Sequence, residues 1–386
     1  MTEETVTVPP TEQGKPDLPP PMSVSGPIAW MRENLFSSPL NIALTVLSAY
    51  LLYLIVPPLV DWAIFSATWL FPPEVITGER SPKTSDCAVD GGEAGACWLF
   101  VRARIGQFIF GFYPEAERWR VVLSFALGAI GIYGLLGGPE RFRKHAAIFF
   151  FVAFPIVSFW LLRGGLGLLP VRTEQWGGFM LTLVIALVGI VLSLPFGILL
   201  ALGRRSKLPI VHLLCVIFIE FVRGVPLITV IFMANIMLPL FLPPGYDVNV
   251  LLRVLVGTTA FVSAYMAEVV RGGLQAIPKG QFEGAMALGL GYWQMMRLIV
   301  LPQALRIAIP SIVNTFIGFF KDTTLVSMVG LYDFLNMVKA GFKDPNWVGV
   351  EISGFAFCAA IYWICCFSMS RYSMHLERKL HTGHKR

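Results

Sequence analysis

Residues Glu283–Pro302 read EGAMALGLGYWQMMRLIVLP. The stretch lies between two apolar runs, at about 250–269 and 303–320, yet glycines interrupt it too often for it to be a span itself. A crossing helix takes roughly 20 apolar residues. As a helix, the segment carries Phe282, Met286 and Leu290 at i, i+4 and i+8, an apolar stripe, while Gly284, Ala285, Ala287 and Gly289 keep the other faces thin. Glu283 stands near the start, where the helix dipole favours a carboxylate. Gly289 and Gly291 are natural stops. The expectation is a short helix of about 10 Å, then a second over about 293–300 leading to Pro302, which suits the first turn of the next span. Two uses stand open: a connector lying flat on lipid, or a docking element for another protein.

The composition around it sets the class. Of 386 residues 55% are hydrophobic and 14% charged, with a mean hydropathy of +0.68. Soluble domains carry about 25% charged residues, so the chain reads as all-α and polytopic in a membrane. The net charge of +6 is spread over loops between apolar runs and reads as a topology signal, not a nucleic-acid footprint. The first 38 residues, with PPTEQGKPDLPPP, lack a signal-peptide core and read as a disordered Pro-rich tail.

About eight spans follow, near 39–60, 119–137, 146–162, 178–202, 208–242, 250–269, 303–320 and 347–370. The basic loops GPERFRKH (138–145) and GRRSK (203–207) and the basic tail 374–386 fall on one side if both termini are cytoplasmic. That topology puts the quoted segment inside and a large loop, about 61–118, outside. The loop contains Cys87 and Cys97, a candidate disulfide in an oxidising compartment, with two unpaired thiols as the alternative. The run 208–242 is too long for one upright helix and is interrupted at Gly224 and Pro226. It is either one kinked helix or an inner-leaflet helix followed by a span of about 225–242.

Chemistry-bearing patterns are few. The sequence contains no CxxC, no HExxH and no G-x-x-x-x-G-K-[ST], so neither a metal site nor an ATP-phosphate cradle is indicated in this chain. Charges at span boundaries are functional candidates because they are costly there. Glu220 and Arg223, and Glu268 and Arg271, lie three apart, so each pair can share a helix face. They read either as local ion pairs or as parts of a substrate pathway or gate. Lys321 and Asp322, with Thr323 beside them, follow the span 303–320 and are read as lining an outer cavity or anchoring at the outer interface.

The spacing from Glu283 to Pro302 resembles the EAA loop of ABC-importer permeases: Glu283, Ala285, Gly289, Ile299, Leu301 and Pro302 match, and Gly284 departs where the motif has alanine. AYMAEVVRGGLQAIPKGQ (264–281), PQALRIAIPSIVNTFIGFFKDTTLVSMVG (302–330) and IEFVRGVPL (219–227) resemble permeases for polar amino acids. CWLFVRARIGQFIFGFYPEAERWR (97–120) is similar to the longer permeases of general L-amino-acid import systems. The resemblance implies a bacterial inner-membrane permease with a five-span core (177–373, coupling loop about 270–302) behind an N-terminal three-span region (39–176). It also implies a second homologous permease subunit, a cytoplasmic ATPase dimer that holds ATP and Mg, and a periplasmic amino-acid-binding protein. Substrates would be glutamate, glutamine, aspartate or asparagine, or a broader range. The chain itself would bind no cofactor and catalyse no reaction. A permease for another small solute is the alternative; a secondary transporter fits the spans but not the EAA spacing.

Overall fold

The computed structural model describes residues 26–87, 95–243 and 248–380, and all regular structure among them is helical. Seven helices or helix runs are long and apolar enough to cross a membrane, or eight with one bent pair counted as a span. The contacts divide the chain into two compact units, one up to Ala67 with 93–95 and one from Thr68 onward.

In the first unit, α1 (Pro27–Asn34) and α2 (Pro39–Val60) follow one another. Residues 27–34 are therefore helical, where the sequence had suggested tail. Pro27 sits in the first turn, where its missing amide hydrogen costs no bond. The tail up to residue 25 lies outside the described residues. Ser38 caps α2 by accepting from the Asn41 amide, and Thr45 Oγ1 donates to the Leu35 carbonyl at 3.0 Å. Just beyond Pro57 and Pro58, which lack amide donors, the helix passes into a π-helical turn, Asp61–Phe65.

The second unit begins with a folded segment where a loop was expected. Cys87 and Cys97 are joined by a disulfide, with Cα atoms 5.4 Å apart. Between α3 (Pro73–Ile76) and the disulfide, Arg80 donates to Glu74 at 2.7 Å and to both carboxylate oxygens of Asp86 at 2.8 and 2.9 Å. Next, α4 (Trp98–Phe110) buries Leu99, Phe100 and Phe108. They pack with Phe334, Met337 and Val338 of a later helix and with Trp347. A division at residue 176 is thus not where contacts separate. An apolar face such as that of α4 has to be covered, and the later half of the chain covers it.

Two spans follow: Glu115–Leu136, containing α5 (Arg118–Leu136), and Arg141–Arg163, in which α6 (Glu140–Ile148) continues through a π-helical turn into α7 (Phe154–Arg163). The basic residues Arg141, Arg143 and Lys144 belong to the first turns of that span rather than to a separate loop. Then come α8 (Gly178–Arg204), α9 (Pro209–Gly224), α10 (Leu227–Met237) and α11 (Val250–Gln275). α9 and α10 are bent by 113° at Val225–Pro226, so the reading as one kinked helix is excluded. The short helices α12 (Lys279–Ala287) and α13 (Tyr292–Met295) precede α14 (Leu301–Asp322). α13 runs through the π-helical turn Met296–Val300 directly into α14, so that span starts at Tyr292, eleven residues before the sequence suggested. The chain closes with α15 (Phe334–Gly341) and α16 (Glu351–Leu380), which extends into the basic tail.

Two buried apolar clusters occupy opposite parts of this core. One joins Met180, Leu181 and Ile185 of α8 with Leu227 and Ile231 of α10, Val254 of α11 and Phe319 of α14. The other joins Ala201 and Leu202 of α8 with Ile219 of α9, Met266–Leu274 of α11, Ala285 of α12 and Ala304–Ile312 of α14. The broken span therefore has α9 in one cluster and α10 in the other.

Arg80 holds the Asp86 carboxyl below the usual carboxylate range, its hydrogen bonds outweighing the cost of burial. A depressed carboxylate stabilises above its unfolded pKa, near 3.8, and that contribution is lost as pH falls through the folded value. Hydrogen exchange of residues 68–87, followed by mass spectrometry, should therefore be flat from neutral pH to about 5 once corrected for intrinsic rates. Protection should fall in stronger acid, and Asp86→Asn should show that loss already at neutral pH.

Candidate functional site

The segment between α11 and α14 is built on the second apolar cluster. Phe282, Ala285 and Leu290 turn inward onto it. Glu283, Gly284, Met286, Ala287, Leu288 and Gly289 are exposed. Two expectations are corrected here. Phe282, Met286 and Leu290 do not form one helical stripe, because α12 ends at Ala287 and the chain turns at Gly289 with φ +74°, a conformation in which a side chain is strained. Ala285 does not thin an outer face; it is buried against this chain's own spans. Ile299 and Leu301 are half-buried on the same cluster, and Pro302 lies in the first turn of α14. The outer surface carries Leu288, Trp293 and Leu298, exposed by 77%, 69% and 65%, with Met286 and Tyr292 between them.

Beneath this surface five charges meet. Glu268 accepts from Arg271 Nη2 at 2.7 Å and from Arg271 Nε at 2.9 Å. It also accepts from Arg204 Nη1 at 2.8 Å, and Arg223 Nη1 lies 3.8 Å from it. Arg204 Nη1 reaches Glu220 at 2.8 Å as well. The two expected i, i+3 pairs differ: Glu268 and Arg271 bond to each other, whereas Glu220 bonds to Arg204, and Arg223 turns to Glu268. The Arg223 guanidinium also lies 5.5 Å from the Tyr265 ring centroid. Three helices, α8, α9 and α11, are thus joined through one carboxylate whose side chain is 14% exposed.

Along α14, Arg306, Pro310 and Asn314 recur every four residues and are exposed, as are Ser311, Lys321 and Asp322. Polar groups on a crossing helix are costly against lipid, so this face requires water or another protein chain. Lys321 and Asp322 are on it. Thr323 is not: it is fully buried and donates to the Phe320 carbonyl at 2.8 Å, so it lines no cavity.

Sequence reading missed Arg204, which was treated only as a topology charge, and Asp333. The Asp333 carboxylate is fully buried at the start of α15, accepting from the Leu335 amide at 3.1 Å and from Asn336. Burial pushes it above the ordinary range. Its one sequence signal is an aspartate directly before FLNM, an N-cap pattern. Among the described residues no group of acidic, histidine or cysteine side chains is arranged to hold a metal.

A family model described as the binding-protein-dependent transport system inner membrane component matches residues 193–382. The chain is also 49% identical over 371 residues to the inner membrane amino-acid ABC transporter permease protein YhdY of Escherichia coli (strain K12), covering 95% of this chain and 97% of that protein. The chain belongs to the amino-acid ABC transporter permeases. This permease is 42% identical to the glutamate/glutamine/aspartate/asparagine transport system permease protein BztC of Rhodobacter capsulatus, over 95% and 96% of the two chains. A shorter relative, the probable glutamine ABC transporter permease protein GlnP of Bacillus subtilis, is 33% identical over 52% of this chain and 91% of its own length. The permease is a multi-pass transport subunit and not an enzyme, and ATP hydrolysis in such systems belongs to a separate subunit.

Two glycines of this permease's site separate close packing from open surface. A Cβ at Gly273 would lie 2.5 Å from the Ala304 carbonyl oxygen, whereas one at Gly284 meets nothing within 4 Å. Gly273→Leu should force α11 and α14 apart and destabilise by about 1–3 kcal/mol. Gly284→Ala should leave stability equal or raise it by up to about 1 kcal/mol. Thermal unfolding of the detergent-purified protein measures both.

Proposed function

We propose that this permease is one of two related membrane subunits of an ATP-driven importer for polar L-amino acids, with glutamate, glutamine, aspartate and asparagine as the leading substrates. The substrate class is supported by the 42% identical BztC, a glutamate/glutamine/aspartate/asparagine transport system permease protein. The single observation that carries the coupling role is the outer face of the α12–α13 segment. It offers an apolar ridge of Met286, Leu288, Tyr292 and Trp293 beside the carboxylate of Glu283, with Gly284 and Gly289 leaving room for close approach. Buried aromatic anchors with a polar rim are what a protein partner reads.

In this reading the segment faces the cytoplasm, both termini lie inside, and a separate ATPase dimer carrying ATP and Mg receives the ridge. Closure of that dimer moves the spans as a body and alternates access to a central path. The path is the face of α14 that bears Arg306, Ser311, Asn314, Lys321 and Asp322, completed by a second permease subunit. A periplasmic binding protein delivers substrate at the opposite end, beside the disulfide-bonded segment and α15.

Co-expression with the candidate second permease and ATPase, followed by reconstitution with the binding protein, tests this. ATP-dependent uptake of labelled glutamate or glutamine should require the ATPase subunit. Uptake that persists without it would defeat the proposal. Gly289→Val should preserve membrane insertion but reduce ATPase co-purification, because it strains the turn beneath the ridge. Asn314→Leu should lower uptake while ATPase binding stays intact.

A further inference from the structure

The five charges beneath the coupling segment are not explained by substrate handling, since each carboxylate is already engaged by a guanidinium of this chain. Their placement points elsewhere. α11 ends four residues after Arg271, and the coupling segment follows at once. α8 ends at Arg204 itself. α9 contributes Glu220 and Arg223, the latter directly before the break at Gly224–Pro226.

That break separates the two apolar clusters. Ile219 of α9 belongs to the cluster that also holds Ala285 of α12 and the ends of α8 and α11, whereas Leu227 and Ile231 of α10 belong to the cluster at the other end of α8 and α11. At the junction Val225 is extended, with φ −108° and ψ 137°, and a Cβ on Gly224 would meet nothing within 4 Å. The junction is free of side-chain packing at its glycine and is held to no helical ladder. Of the other long helices, α8 and α14 cross the same boundary with weakened ladders, at Pro195 and Pro310, whereas α11 crosses it unbroken.

We propose that Glu268, gripped by Arg204 and Arg271, is the positioning residue that ties α9 to the ends of α8 and α11, so that a displacement passed from the coupling segment to the end of α11 turns α9 about the break at Gly224–Pro226. Apolar packing alone lets the ends of helices slide, whereas several guanidiniums on one carboxylate resist changes of direction as well as distance. Arg204 is the second positioning residue because its Nη1 serves Glu268 of α11 and Glu220 of α9 together, 2.8 Å from each. Displacing the coupling segment then carries α9 with it and opens or closes the angle to α10, which lies in the opposite cluster. This inference rests on the coupling role proposed above and adds which residues transmit it.

The test uses the complete reconstituted transporter and reads two quantities together: ATP hydrolysed per amino acid taken up, and the KM for the amino acid. For Glu268→Gln and Arg204→Gln the ATPase should co-purify as in the wild type and KM should stay unchanged. Uptake per ATP should fall about tenfold, within the range of ordinary coupling energies. Arg204→Lys, which keeps the charge but not the fork, should recover part of the loss. Glu220→Gln, on a half-exposed side chain that folding tolerates, should give a smaller loss of the same kind and decides the matter if the other variants fail to assemble. An unchanged ratio in these variants overturns the proposal, and so does a raised KM, which would make the cluster a substrate site. Failure of the wild-type chain to bind any ATPase would instead overturn the coupling role itself.

Discussion

Within a bilayer, a backbone amide finds no hydrogen-bond partner outside the protein. That constraint organises this chain: every long crossing segment is a helix, and its departures from α-helical bonding fall at prolines, at glycines or at short π-helical turns. The sharpest departure, between α9 and α10, is made at Val225–Pro226, where proline has no amide hydrogen to leave unpaired. The distribution of the two apolar clusters on either side of the break follows the same logic.

The charges where α8, α9 and α11 meet answer a second cost. A carboxylate in a largely buried setting is expensive unless its lone pairs are used. Glu268 meets this by drawing guanidiniums from three helices, α8, α9 and α11. The α14 face meets the same cost differently, by leaving its polar residues uncovered in this chain and so requiring water or another protein chain. At the opposite end, Asp333 and the Arg80–Asp86 pair are satisfied inside the fold and position α15 and the disulfide-bonded segment beside α4.

Much of this was legible beforehand. Span positions followed from apolar length, and the EAA spacing singled out the segment from Glu283 to Pro302. The interruption at Gly224 and Pro226 was visible as a break. Other features were hidden for identifiable reasons. Arg204 looked like one of three topology charges, since its neighbours Arg205 and Lys207 carry the same charge and no local pattern separates them. Ala285 matched a docking motif, but periodicity over nine residues cannot say which side of a short helix is covered. Thr323 lay beside two exposed charged residues, and only the chain turning into α15 buries it.

The sequence by itself determined the membrane class, the helical crossings and the family, because apolar length and motif spacing are local properties that lipid and backbone chemistry convert directly into structure. Only the tertiary structure decided which charges meet, that α4 belongs with the core, and that the broken span joins two different apolar clusters. Those depend on the directions in which helices cross, and direction comes from packing between residues far apart in the chain.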